Sequence, residues 1–228
     1  MGWISLAAAF WIGLHLVAAG PWRVRLVGML GEGPFRGIFS LLTIAGLVWF
    51  VFVYRAAPWT PLWPTVPALG YLALMLVFLA FLLIVLGGGT MNPTTTKPCR
   101  MINDKLPVHG ITRVTRHPRL CGICLWGIAH VLVNGNLAAL IMFGALLITA
   151  VNGMVSIDRK RRHALGPLWD AFAAQTSRLP FAAILAGRTR FEISEFRAWQ
   201  IAVTFLLFAG VFWLHGIVGP SPLWALQI

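Results

Sequence analysis

The sequence predicts an all-α, polytopic membrane protein with about six transmembrane helices and both termini outside the cytoplasm. Three observations predict it. Of the 228 residues, 59% are hydrophobic and only 11% charged, and mean hydropathy is +0.82, whereas a soluble domain carries about 25% charged residues. The apolar residues fall into six runs separated by polar breaks, most of them near the roughly 20 residues that span a bilayer. The charges are one-sided: of 18 Lys and Arg, all but Arg55, hence 17, fall on one side of the six spans. That bias is the positive-inside signature, so the net charge of +12 reports topology rather than a nucleic-acid partner.

Segment one covers about 3–20, contains His15 and ends at Pro21. No basic residue precedes it, whereas Arg23 and Arg25 follow. A cleaved signal peptide has the opposite polarity, so a retained helix is expected. Segment two, about 37–54, is apolar throughout and stops at Arg55; the linker after it carries Trp59 and Trp63, residues suited to a membrane interface. Segment three, about 68–86, ends at Gly87-Gly88-Gly89. A basic loop at 87–117 leads into segment four, about 118–133, which is short for a ~30 Å hydrocarbon core. Asn134-Gly135-Asn136 turns the chain into segment five, about 137–157. A second basic loop, 158–197, includes a weakly amphipathic piece around Trp169 and Phe172, and segment six, about 198–217, carries His215 near its far end. The whole of 1–228 reads as one helical membrane domain, with 87–117 and 158–197 as its cytoplasmic loops.

Ionisable side chains inside membrane spans are costly and therefore functional candidates. Here they are His15, His130 and His215. Counted from Arg23 and Arg119 at ~1.5 Å per residue, His15 and His130 lie roughly 12 and 16 Å from the cytoplasmic boundary. Two depth-matched imidazoles suit the axial positions of a haem iron, and each equally suits a hydrogen bond to a neighbouring helix. Arg113, Arg116 and Arg119 are placed to meet haem propionates, because guanidinium pairs well with carboxylate. His117, between Arg116 and the helix-start Pro118, reads as an anion contact, a third haem-related residue or part of a basic topology anchor. His215 reads as structural.

Several chemistries are excluded. Cys121-Gly-Ile-Cys124 is followed by Leu125 and not His, so the covalent haem signature is missing, and helix packing explains the pair better. With six Asp and Glu in the chain, a carboxylate di-iron site is excluded. Asp158 is the acidic residue best placed to pair with a nearby arginine.

Several stretches resemble the NnrU family in order along the chain. They are Gly13-Leu14-His15-Leu16-Val17, Tyr54-Arg55-Ala56-Ala57-Pro58, Met91-Asn92-Pro93-Thr94, Thr112-Arg113-Val114-Thr115-Arg116-His117-Pro118, Leu125-Trp126-Gly127-Ile128-Ala129-His130, Ile157-Asp158-Arg159 and Leu179-Pro180-Phe181. The resemblance implies a multi-pass protein of the bacterial inner membrane, associated with denitrification and with nitrite and nitric oxide reduction.

The family is in turn similar to zeta-carotene isomerase, a membrane protein with a b-type haem that acts when the haem is reduced. Its two ligand histidines correspond to His15 and His130, which implies haem b as cofactor. A further histidine of the isomerase has no counterpart in segment five. A more distant similarity, to isoprenylcysteine carboxyl methyltransferases, rests on Arg116-His117-Pro118 and Leu165-Gly166-Pro167-Leu168-Trp169. The paired glutamates of those enzymes are replaced here by Asp158-Arg159, which disfavours methyl transfer from S-adenosylmethionine. The implied partners are the lipid bilayer, a hydrophobic substrate, and components of a nitrogen-oxide reductase that a non-enzymatic haem or nitric oxide binding protein would serve. On this basis His15→Ala or His130→Ala loses the haem and His215→Ala does not.

Overall fold

The computed structural model describes residues 1–95 and 105–218; Cys99 and the rest of 96–104 lie outside the described residues, as do 219–228. The described chain is helical, with no β-strand: α1 Gly2–Ala19, α2 Trp22–Leu30, α3 Glu32–Arg55, α4 Pro67–Gly89, α5 Ile111–Val114, α6 Pro118–Asn134, α7 Leu137–Leu165, α8 Pro167–Gln175, α9 Ala182–Leu185 and α10 Ala198–Val218. Five of these, α1, α3, α4, α7 and α10, are long and apolar enough to cross a membrane. The sixth expected span, α6, has 17 residues, or ~26 Å of helix. It packs antiparallel between α4 and α7, in step with helices that cross.

Neighbouring long helices form the row α3–α1–α7–α6–α4–α10. Position in that row explains burial: α7, near the middle, is the most buried span, and α3 and α10 at the ends are among the least. Ile38, Leu41, Ile44 and Phe52 on α3 and Phe205, Leu206 and Trp213 on α10 are exposed. An apolar surface of this extent suits acyl chains and not water.

Small residues let the central helices approach closely. A Cβ at Gly122 would lie 2.8 Å from the Ala80 carbonyl oxygen, and one at Gly87 would lie 2.7 Å from Pro118 Cγ, so α4 and α6 meet through glycine. Cys121 packs in the same cluster as Leu83, Leu86, Ile111, Val114 and Met154, with Cys124 at its edge. The C-x-x-C pair is thus part of helix packing.

Two boundaries differ from expectation. Segment two begins at Glu32, because Gly31 (φ +84°) separates it from α2, a short helix inside what the sequence suggested was loop. Segment five continues through Asp158-Arg159-Lys160-Arg161-Arg162 to Leu165. The charge run ends the bilayer, not the helix: 29 residues make ~44 Å of helix, so its last turns stand clear of the apolar layer. Gly166 (φ +51°) then turns the chain into α8, whose Trp169 and Phe172 are buried against Leu106.

At the far end, Trp63 does more than mark an interface, and Thr65 acts beside it. Trp63 Nε1 donates to the Leu132 carbonyl at 2.9 Å and Thr65 Oγ1 to the Val133 carbonyl at 2.7 Å. These bonds satisfy acceptors at the end of α6 that its own ladder leaves open.

Candidate functional site

The basic end holds a closed polar cluster. Arg116 ends a short turn after α5, and His117 caps the N-terminus of α6. Asp158 lies opposite, on α7, with a side chain only 6% exposed. His117 Nε2 is 2.7 Å from its Oδ1, Arg116 Nη2 is 2.8 Å from its Oδ2, and Arg178 Nε donates to the same oxygen. The carbonyl of Arg116 accepts from Asn92 Nδ2 and Thr94 Oγ1, and Thr115 Oγ1 donates to the Arg178 carbonyl. The stretches Asn92-Pro93-Thr94, Thr115-Arg116-His117-Pro118, Ile157-Asp158 and Ser177-Arg178 therefore converge on one carboxylate. No buried side-chain nitrogen or oxygen among the described residues is left without a partner. The expected pairing of Asp158 with a nearby arginine is present. Arg178 is the member that charge counting did not single out, since nothing local distinguishes it from the other loop cations.

Arg113 is likewise committed. Its Nε and Nη2 each lie 2.7 Å from a carboxylate oxygen of Glu195, in a two-point pair. Arg113 holds the Glu195 carboxyl below the ordinary carboxylate range, with the Gly110 N–H assisting and burial opposing. A carboxyl whose folded pKa is depressed stabilises the fold above its unfolded pKa, near 4.5, and loses that contribution as pH falls through the folded value. Glu195→Gln is therefore expected to cost about 1 kcal/mol at pH 7 and progressively less below pH 4.5. Thermal melts of both forms from pH 7 to pH 3 check it.

The histidines of the spans are separated differently from expectation. His15 Nδ1 donates to the Trp11 carbonyl at 2.9 Å, and its ring packs on Trp11 and edge-on against Phe39 of α3. His130 Nδ1 is 2.8 Å from the Trp126 carbonyl, with its ring against Trp126 and Phe143. The two sit at different heights along α7. Trp11 bonds Thr149, His130 stacks on Phe143, and the intervening six residues of α7 cover ~9 Å. His15 is a further turn towards the basic end. Counting from Arg23 overstated the depth of His15, because α1 ends at Ala19 and Arg23 belongs to α2, whereas the basic ends of α1 and α6 both meet α7 near residues 156–160.

His130 instead faces His215 of α10, with ring centroids 6.4 Å apart and planes at 42°. Both line a partly open cavity of about 230 Å³ between α4, α6 and α10. Gly70, Ala73, Leu74, Val77 and Phe81 supply the α4 wall and Phe208, Val211 and Phe212 the α10 wall; Tyr54 and Asn134 are the other polar residues lining it. It lies near the far end of α6, so Arg119 is eleven residues away, ~16 Å along the helix.

Of the residues expected to hold a haem, His130 lines the cavity and His15 does not, Arg113 and Arg116 are held by Glu195 and Asp158, and Arg119 is exposed at the basic end beside Gly87. His117 is held by Asp158 and does not reach the cavity. Among the described residues no group of three or more His, Cys, Asp or Glu is placed to hold a bare metal ion.

The chain is 32% identical over 126 residues to the 15-cis-zeta-carotene isomerase of Zea mays chloroplasts, covering 52% of this chain and 34% of that protein. It is 36% identical over 89 residues to the Arabidopsis thaliana isomerase, covering 37% of this chain and 24% of that one. The chain therefore matches about a third or less of the length of these relatives. No solved structure matches. The model of the NnrU protein family matches residues 3–222, and the chain belongs to that family.

Proposed function

We propose that this protein is an isomerase-like protein of the bacterial inner membrane that acts on an extended, unsaturated, lipid-soluble molecule with a b-type haem as prosthetic group. The observation that carries the proposal is the cavity: its walls are apolar, it lies among membrane-spanning helices, and His130 and His215 line it. Such a cavity takes its ligand from the bilayer, where the exposed apolar faces of α4 and α10 place it. The partial identity to two carotene isomerases supports an elongated polyene as the substrate class. Haem supplies an iron whose ligation can change with its oxidation state. The chain itself contributes a basic imidazole nitrogen at His130, whose other nitrogen donates to the Trp126 carbonyl, and aromatic walls that exclude water. The one-sided distribution of cations supports the inner membrane, and membership of the NnrU family supports a link to nitrogen-oxide respiration.

The test uses protein expressed under haem-replete conditions and purified in detergent. A pyridine haemochrome assay is expected to give about one b-type haem per chain, and a 15-cis polyene incubated with the dithionite-reduced protein is expected to change isomer ratio. Ala73→Phe, which fills the cavity from the α4 side, is expected to reduce turnover at least tenfold while the protein stays monodisperse. Absence of haem together with no change in polyene isomers would overturn the proposal.

A further inference from the structure

We infer that the cavity between α4, α6 and α10 seats one end of a lipid-soluble chain, and that this end carries an uncharged hydroxyl donating to His130 Nε2. The molecule is the lipid-soluble substrate proposed above, on whose presence in this cavity the inference rests; the haem has no part in holding it. Size decides how much of the molecule enters. About 230 Å³ is below the roughly 300–1,000 Å³ of pockets that enclose a whole drug-sized ligand. The cavity is also only partly enclosed, so a long chain enters by one end. Its walls are graded in polarity. Along α4 they run from Gly70 to Phe81, which is ~16 Å of helix. Tyr54, His130, Asn134 and His215 lie towards the far ends of α3, α6 and α10, whereas Phe81, Trp126 and Phe208 line the deeper part. A few polar groups at one end of an apolar cavity fix a ligand's direction. Here the polar end of the chain faces the far surface and its apolar part the midplane, as in a lipid leaflet.

The hydroxyl follows from His130. A carbonyl oxygen only accepts, so Nδ1, 2.8 Å from the Trp126 carbonyl, carries the proton and Nε2 keeps its lone pair. His215 is too far away to fill that position. Ring nitrogens lie roughly 1.1 Å from their ring centres, so a direct bond needs centres no more than about 5.5 Å apart. The centres are 6.4 Å apart. Tyr54 and Asn134 are turned elsewhere: Tyr54 Oη donates to Asn134 Oδ1 at 3.4 Å, and Asn134 Nδ2 donates to the His130 carbonyl at 2.8 Å. No described residue bonds Nε2, and no fully buried side-chain nitrogen among them lacks a partner, so this atom meets the open space of the cavity. A lone pair in an apolar wall calls for a donor. Among the described residues no Lys, Arg, Asp or Glu lines the cavity, so a carboxylate, phosphate or ammonium head would enter without a counter-ion. An alcohol or phenol supplies the donor without the charge.

The experiment uses probes that share one polyene chain: retinol, whose end donates a hydrogen bond; retinyl methyl ether, whose end cannot; and retinoate, whose end is charged. Each is titrated into the detergent-purified full chain, and binding is read by quenching of tryptophan fluorescence. Retinol is expected to bind about tenfold more tightly than either of the others. In His130→Leu its affinity is expected to fall to that of the ether, while the ether binds as it does to the wild type, which shows that the cavity is still formed. Ala73→Phe, which fills the cavity from α4, is expected to weaken retinol by about tenfold or more. Equal affinity for retinol and the ether, or a preference for retinol that persists in His130→Leu, overturns the hydroxyl contact and leaves the substrate cavity standing. Tightest binding of retinoate overturns the uncharged end in the same way. A wild type that binds none of the probes, or an Ala73→Phe variant that binds retinol as the wild type does, overturns the substrate cavity and this inference with it.

Discussion

Asp158→Asn is expected to cost about 3–5 kcal/mol, the range for removing one partner of a buried ion pair. The carboxylate, 5% exposed, accepts from Arg116, His117 and Arg178. Asparagine has almost the same shape, so packing is conserved and the loss is electrostatic. Its amide nitrogen also turns a donor towards a ring of donors. Arg116, 9% exposed, would keep its charge with no counter-ion. Because the cluster joins α6, α7 and the 176–181 segment, loss of the charge loosens three parts of the basic end together. Melting in detergent should fall by roughly 10 °C for a chain of this size. Asp170→Asn is the control: Asp170 pairs with Arg162 where both side chains are more than half exposed, and such pairs contribute about 0–1 kcal/mol. Equal shifts for the two variants would show that the Asp158 cluster is no more than a surface pair.

Gly135→Ala is expected to be nearly as damaging, by about 3 kcal/mol. Gly135 has φ +57° and ψ 23° at the end of α6, a left-handed conformation that costs an alanine roughly 1 kcal/mol. Sterics add more. A Cβ there would lie 2.4 Å from the Trp63 carbonyl oxygen, which belongs to backbone and cannot rotate away. The carbonyl of Gly135 also accepts from the amides of Leu62 and Trp63, so moving it breaks the clasp between the 60s loop and the α6–α7 turn. That turn follows His130 by little more than one helical turn, and the substitution should therefore weaken retention of any cavity ligand along with stability. Gly144→Ala, inside α7 with nothing within 4 Å of the new carbon, should be neutral or slightly stabilising. Melting curves of the two variants side by side, with ligand or haem content, check the prediction.

The sequence carried the class of the fold and the ends of most helices, because hydropathy and capping are local properties. Pro67, Pro118 and Pro167 open helices, and Asn136 caps α7 by accepting from Ala139. Which helices are neighbours is not local. His15 and His130 looked alike when each was measured along its own helix, and only the contacts of each helix with α7 show that they lie at different levels of the bundle. His215 looked peripheral because it is near the end of the last described helix, yet that end meets the last turns of α6. The arginines illustrate the same limit. Arg113 and Arg116 were legible as cations at one end of the bundle, but their acidic partners are 82 and 42 residues away in the chain. Asp158 was legible as a pairing group because an acidic residue at the end of an apolar run needs a counter-charge wherever the run packs.

The contact between α1 and α7 bears on how the protein is made. The last carbonyls of α1, at Ala18 and Ala19, accept from Lys160, Ser156 and Arg159 of α7, and Trp11 donates to Thr149 of the same helix. A ribosome delivers α1 more than a hundred residues before it delivers these partners. Until then the first helix sits in the bilayer with an indole N–H and its terminal carbonyls waiting, and α3 alone cannot satisfy them. Commitment of the N-terminal half to its final place is thus deferred until α7 has been synthesised. A nascent chain stalled before residue 149 should remain accessible to membrane quality-control proteases, whereas one stalled well past residue 165 should not.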